Sequence, residues 1–259
     1  MKLYHYTTPE GISGIINSKT LRLSNVWFLN DSKEQEYAKD RVIDAINCKS
    51  KQSEGWKKTL EQYWAPRVCV FCLSESSDSL EQWRGYGSGS GFAIEFDGDK
   101  IRKIVEECDE KILFEQVKYG LDANKDAIDK LVEKMGTSNE YQGIEKIFKA
   151  WDSNLEFAQL SAFTKHEAFA NEKEWRFAKN VENISSSVSC YKVEYSGRYR
   201  AYYSLKLEGL LSAISGIIIG PGQDEKLTRQ FTIELLLKNG MHAIDQSFIR
   251  ASMVPYRNW

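Results

Sequence analysis

The opening run Leu3-Tyr4-His5-Tyr6-Thr7-Thr8-Pro9-Glu10-Gly11 leaves little freedom in how this chain can begin. Its first half is aromatic and β-branched, which predicts a strand. Alternate side chains of a strand share a face, so His5 and Thr7 point one way and Tyr4 and Tyr6 the other. A helix must start directly afterwards. Thr8 suits the N-cap, Pro9 the first helical position, and Ile12, Ile15 and Ile16 form an apolar face that closes at Asn17-Ser18. A polar pair on a first strand, followed at once by a short helix, makes a corner able to hold a ligand. A half-buried histidine hydrogen-bonded to backbone is the other reading, and both stand at this point.

The rest of the chain reads as strands and helices interspersed. Leu21-Arg22-Leu23-Ser24 alternates as a second strand, and Asn30-Asp31-Ser32 caps a helix to about Asn47, with capping and ligand contact both open for Asn30-Asp31. Residues 49–64 predict an exposed helix, and Arg67 to Leu73 is the most strand-like run of all. Asp78 to Trp83 forms a short helix that presents Trp83 and then Tyr86. The glycine-rich stretch Gly85 to Gly91 runs into the strand Phe92 to Phe96, which excludes the dinucleotide fingerprint and the P-loop, both of which need a following helix. It is either a flexible connection or a cradle for phosphate.

Lys100 to Cys108 is helical, Ile112 to Tyr119 extended, and Asp126 to Met135 an amphipathic helix closed by Gly136. A longer helix spans about Tyr141 to Phe163. Strands follow at Tyr191 to Tyr195 and Ala213 to Ile219, then a helix capped by Asp224 with Gly240 just past its end, then a last strand from Met241 to Ile244. Without a linker, repeat or low-complexity tract, this is one α+β domain over residues 1–259, with a helical insertion around 122–164.

Composition narrows the class. The 35 basic and 37 acidic residues leave a net charge of −2, which argues against a generally basic nucleic-acid surface. No apolar run reaches bilayer-spanning length and the N-terminus lacks a signal-peptide pattern, so a cytoplasmic protein with no membrane partner is expected. Among five cysteines, Cys69 and Cys72 have the spacing of a zinc or redox pair. In a buried strand, however, they face opposite sides, and no second pair completes a zinc site. They read as small apolar fillers in a reducing compartment.

One further stretch carries chemistry: Phe163 through Lys165-His166, Glu172-Lys173-Glu174 and Trp175-Arg176-Phe177. Glu172 and Glu174, spaced by two, project the same way if the segment is extended. Lys165, His166 and Arg176 surround them with positive charge that would hold the carboxylates ionised. A solvated ion-pair cluster is the alternative.

Taken in order, Tyr4-His5-Tyr6-Thr7, Leu21-Arg22-Leu23-Ser24, Leu29-Asn30-Asp31 with Glu34, Cys72-Leu73-Ser74-Glu75, Trp83 with Tyr86, Gly91 to Glu95, Lys165 through Arg176, and Ile217 to Pro221 resemble a bacterial family described only as a domain of unknown function. That family is similar in turn to ADP-ribosyltransferases of the His-Tyr-Glu type. The resemblance implies a split β-sheet core of that type with added helices. It also implies NAD as substrate, with a protein or nucleic-acid acceptor. By the same resemblance Glu174, Glu172 and Tyr86 are catalytic, and His5, Tyr6, Thr7, Ser74, Trp83 and Arg176 bind NAD.

The implied activity is NAD-consuming ADP-ribosyl transfer or NAD hydrolysis, in a toxin or defence effector. A fixed carboxylate would stabilise the positive charge left on the ribose, and aromatic faces would hold the flat nicotinamide. Two alternatives stay open. One is a nuclease or phosphodiesterase built on His5, Lys165, His166 and the Glu172/Glu174 pair, metal-dependent or using His/Lys acid–base chemistry. The other is a nucleotide sensor without turnover.

Overall fold

The computed structural model describes residues 1–29, 37, 40–42, 44, 68–87, 91–108, 110–120, 122–136, 156–181, 188–192, 199–242 and 244–256. Within the expected helix over 32–47, the described residues 37, 40–42 and 44 are helical, with Val42 buried. The expected helix over 49–64, the Asn30-Asp31-Ser32 cap and the first part of the helix from Tyr141 lie outside the described residues.

The first strand and helix form as the pattern predicts. β1 (Lys2–Thr7) buries Leu3 on one face and Tyr4 and Tyr6 on the other. α1 (Pro9–Ser18) begins at Thr8, whose Oγ1 accepts from Gly11 N–H at 3.2 Å, and it ends at Lys19 in the left-handed conformation (φ 54°). A Cβ at Gly11 would lie 1.9 Å from Thr7 Oγ1, so a larger residue there would force the threonine side chain to move.

Then follow β2 (Thr20–Asn25), β3 (Val68–Ser74), α2 (Leu80–Tyr86), β4 (Phe92–Asp97), α3 (Gly98–Glu106), β5 (Leu113–Gln116), β6 (Lys118–Tyr119) and α4 (Lys125–Gly136). A helix over 156–162, here α5, leads into β7 (Thr164–Lys165), a 3-10 turn (Glu167–Glu172) and β8 (Glu174–Asn180). The chain closes with β9 (Val188–Lys192), β10 (Tyr199–Lys206), β11 (Ile214–Ile219), α6 (Glu225–Lys238) and β12 (Ile249–Ala251).

Among the described residues, ten strands make one mixed sheet in the order β12-β11-β4-β1-β3-β2-β10-β9, with β8 on β3 and β5 on β8. Every pairing in it is antiparallel except β11 with β12. The sheet forks at β3. One edge of β3 pairs with β8 along its whole length, from Val68↔Asn180 to Ser74↔Glu174. The other edge is shared: β2 takes Val70 and Cys69, and β1 meets it at Tyr4↔Ser74. β1 continues instead into a six-rung ladder with β4.

One face of this sheet is the main core, where Leu3, Phe71, Leu73, Ile94, Phe96 and Phe177 meet the isoleucines of α1. Tyr4, Tyr6, Trp83, Ala93 and Ile218 pack on the opposite face. The mixed α+β class is as expected. Two strand expectations need correction. Met241, His242 and Ile244 are not in a strand; Met241 and Ile244 pack on the core as irregular chain, and β12 takes the place beside β11. β10, passed over in the sequence, pairs with both β2 and β9. Among the described residues no helix is long and apolar enough to cross a membrane.

Candidate functional site

The fork leaves a backbone carbonyl for a side chain to satisfy. The Nδ1–H of His5 donates to the carbonyl of Cys72 at 2.9 Å, and its ring stacks on Phe71 with centroids 4.0 Å apart. A carbonyl only accepts, so Nδ1 carries the proton and Nε2 the lone pair. Burial pushes the imidazole down to about 4 against the opposing pull of the Cys72 bond, so the ring is neutral at pH 7. Half-burial and backbone bonding, the plainer of the two readings of His5, are both present. They also leave one ring nitrogen as an acceptor of fixed direction.

On the other face of β3 lies a cluster of charge. Glu174 opens β8, and two residues on, across one turn of the pleat, Arg176 grips it with two bonds of 2.9 Å, Nε to Oε1 and Nη2 to Oε2. Lys165 Nζ lies 3.2 Å from Glu174 and 2.5 Å from Glu172. Arg176 also donates to the Ala162 carbonyl at 2.7 Å, and Lys165 lies over the Phe169 ring. Both cations are almost fully buried, which the protein tolerates because each has a carboxylate.

The parallel pair β6–β7 sets Lys165 beside Tyr119, and Tyr119 Oη accepts the Glu174 N–H at 2.7 Å. Lys165 and Arg176 therefore do surround the carboxylates as the sequence suggests. His166 does not: its Nδ1 accepts from Ala168 N–H and caps the following 3-10 turn.

The route by which Glu172 and Glu174 converge differs from expectation. The segment is not extended. Glu172 ends the 3-10 turn and Lys173 adopts a left-handed conformation (φ 45°) before β8 begins. Both carboxylates nevertheless reach one lysine. Their environments push them apart. Burial raises the Glu172 carboxyl, with Lys165 opposing. Burial would raise Glu174 too, but the Arg176 guanidinium and Lys165 ammonium outweigh it and hold that carboxyl well below the usual range.

Two residues not singled out as site residues belong here. Tyr119 is one. Cys72 is the other: it sits opposite Arg176 in the β3–β8 ladder, so its thiol lies on the same face as the Glu174 carboxylate. Strand alternation does separate the cysteines, with Cys69 in the main core and Cys72 on the charged face, where it also packs against the apolar cluster of Val68, Val70 and Phe163. The phenol of Tyr86, at the end of α2, is raised chiefly by burial and further by Cys72, Glu172 and Glu174, and the residue as a whole is 36% exposed.

Other expected site residues are occupied elsewhere. Tyr6 Oη donates to the Ser76 carbonyl at 2.7 Å and accepts from Ser79 N–H at 3.0 Å. Trp83 is 2% exposed, meets Tyr6 edge-on, and donates Nε1–H to Asp78 at 2.7 Å. Ser74 Oγ donates to the Glu172 carbonyl at 2.6 Å and so ties β3 to the residue before the Lys173 turn. Thr7 shares the His5 face and packs on Gly11. In the glycine-rich stretch, residues 88–90 lie outside the described residues. Gly87, Gly91 and Gly220 are packed backbone to backbone, with Gly220 N–H on the Gly91 carbonyl at 2.9 Å.

Residues 82–177, from α2 to the middle of β8, match the model of a family described as a protein of unknown function (DUF2971). No curated protein and no solved structure matches the chain. The matched stretch holds Trp83, Tyr86, Tyr119, Lys165, Glu172, Glu174 and Arg176, so most of the charged cluster falls inside a segment shared with that family.

Proposed function

We propose that this protein consumes NAD, as an ADP-ribosyltransferase or NAD glycohydrolase with a core of the ADP-ribosyltransferase type. The observation that carries the reading is the pair Glu172 and Glu174 on one buried lysine, one pushed toward the protonated form and the other held ionised. Two carboxyls driven apart in this way are suited to two roles in one reaction. As the bond from ribose C1′ to nicotinamide breaks, its electron pair leaves with nicotinamide and positive charge grows on the ribose. Glu174 stabilises that charge. Glu172 takes the proton of the attacking hydroxyl, from water or from a protein or nucleic-acid acceptor.

The fork and the neutral His5 support the same reading. His5 Nε2 accepts a hydrogen bond from a ribose hydroxyl and orients the sugar. The ring of the partly exposed Tyr86, rather than the enclosed Trp83, offers the flat face for nicotinamide. A toxin or defence effector is the setting we assign to such an activity. No observation favours the phosphodiesterase reading, whose second histidine, His166, is engaged as a helix cap.

The test is nicotinamide release from NAD, with cell extract supplying acceptors, by wild type, Glu174→Gln, Glu174→Asp and Glu172→Gln. We expect release by wild type, loss in Glu174→Gln, and partial activity in Glu174→Asp, which keeps the charge that Arg176 and Lys165 require. No release and no thermal stabilisation by NAD would overturn the reading.

A further inference from the structure

We propose that Cys72 is a positioning residue that couples His5 to Glu174, its carbonyl taking the His5 Nδ1–H and its thiol donating to the Glu174 carboxylate. This rests on the reading of His5 and Glu174 as parts of one site. The two reach the fork from opposite faces of β3: His5 lies on the face of Phe71, Glu174 on the face of Cys72. Cys72 borders both: its carbonyl accepts from His5, and its side chain lies diagonally across the β3–β8 ladder from Glu174 on the same face.

Local structure makes that double role available. The β3–β8 ladder fixes the Cys72 backbone directly across from Arg176. On the other edge of β3 a rung to β1 lies at Ser74, and the Cys72 carbonyl accepts from the imidazole. The thiol lies on the face that carries Glu174 and Arg176 of β8, with Tyr86 of α2 nearby. A thiol is a weak donor. It fixes the direction of the Glu174 carboxylate while leaving its negative charge largely undiminished, which is what stabilisation of a cationic ribose needs.

The experiment compares wild type, Cys72→Ser and Cys72→Ala by two readouts. One is steady-state nicotinamide release. Cys72→Ala is expected to lose about tenfold in kcat with KM within about twofold, and Cys72→Ser, which keeps a donor, to stay within about threefold of wild type. The other readout needs no turnover: the Glu174 carboxyl is titrated by carbon NMR in all three proteins. Its midpoint should move to higher pH in Cys72→Ala and not in Cys72→Ser. If wild type releases no nicotinamide, the activity proposal fails while the titration still decides the Cys72–Glu174 coupling. An unshifted midpoint in Cys72→Ala, or equal impairment of both variants, overturns the coupling.

Discussion

His5 and Cys72 join the two arms of the forked sheet, the imidazole Nδ1–H of one donating to the backbone carbonyl of the other across 2.9 Å. Beside that bond β1 and β3 share the register pair Tyr4↔Ser74. His5→Ala is therefore expected to leave a carbonyl unsatisfied and to destabilise the fold by about 1–3 kcal/mol, read from denaturant unfolding. The neutral ring also sets a pH dependence. Its folded pKa of about 4 lies below the ordinary value of 6.5. The unfolded chain binds the proton first, so stability is complete above about 6.5 and falls as the pH drops toward about 4. His5→Asn should flatten the curve in that window.

The Glu174 carboxyl acts lower on the scale. Its folded value is depressed by Arg176 and Lys165, so its contribution is present above the unfolded value and lost as pH falls below it. Removing a partner costs more than protonation. Lys165→Met should destabilise by about 3–5 kcal/mol, because two buried carboxylates lose a counter-ion. Thermal melts at pH 7 and pH 4 test this: the gap between variant and wild type should narrow at the lower pH.

Two aromatic residues on α2 have been separated by their surroundings. Trp83 is enclosed and hydrogen-bonded to Asp78, whereas Tyr86 is half-exposed beside the carboxylates. Trp83→Phe should cost about 1–2 kcal/mol in stability and leave KM for NAD unchanged. Tyr86→Ala should raise KM with little effect on melting. The opposite pattern would return Trp83 to the nicotinamide site.

Glycine at position 91 is a matter of contact. A Cβ there would lie 2.3 Å from Gly87 Cα and 3.0 Å from the Thr7 carbonyl, both of them backbone. Gly91→Ala should destabilise by about 3 kcal/mol. Lys19→Gly is the counterpart, expected to stabilise by about 1 kcal/mol by relieving a left-handed lysine at the end of α1. Both are read as shifts in the denaturation midpoint.

The first strand, its facing and the Thr8-Pro9 helix start were legible because each rests on neighbours in sequence. The charge cluster was legible in part, since Lys165, Glu172, Glu174 and Arg176 are close in the chain. Cys72 and Tyr119 were not. Their roles depend on β3 lying against β8 and on β6 lying against β7, registers that no local pattern encodes. An aromatic residue does not announce whether it is enclosed, so Tyr6 and Trp83 looked as available as Tyr86. The left-handed Lys173 was also hidden, because lysine rarely adopts that conformation. Met241 to Ile244 misled for a related reason: Met241 and Ile244 are partly buried against the core, but among the described residues no strand pairs with them.

The fork has a consequence for how the chain can be cut. Residues 82–177 hold β4, β5 and much of β8, but both ladder partners of β4, β1 and β11, and one of the two of β8, β3, lie outside this stretch. Expressed alone, the shared segment would expose strand edges and half of a core, and would aggregate rather than fold. The shared stretch carries most of the charged chemistry, and the flanking strands supply the means of folding it.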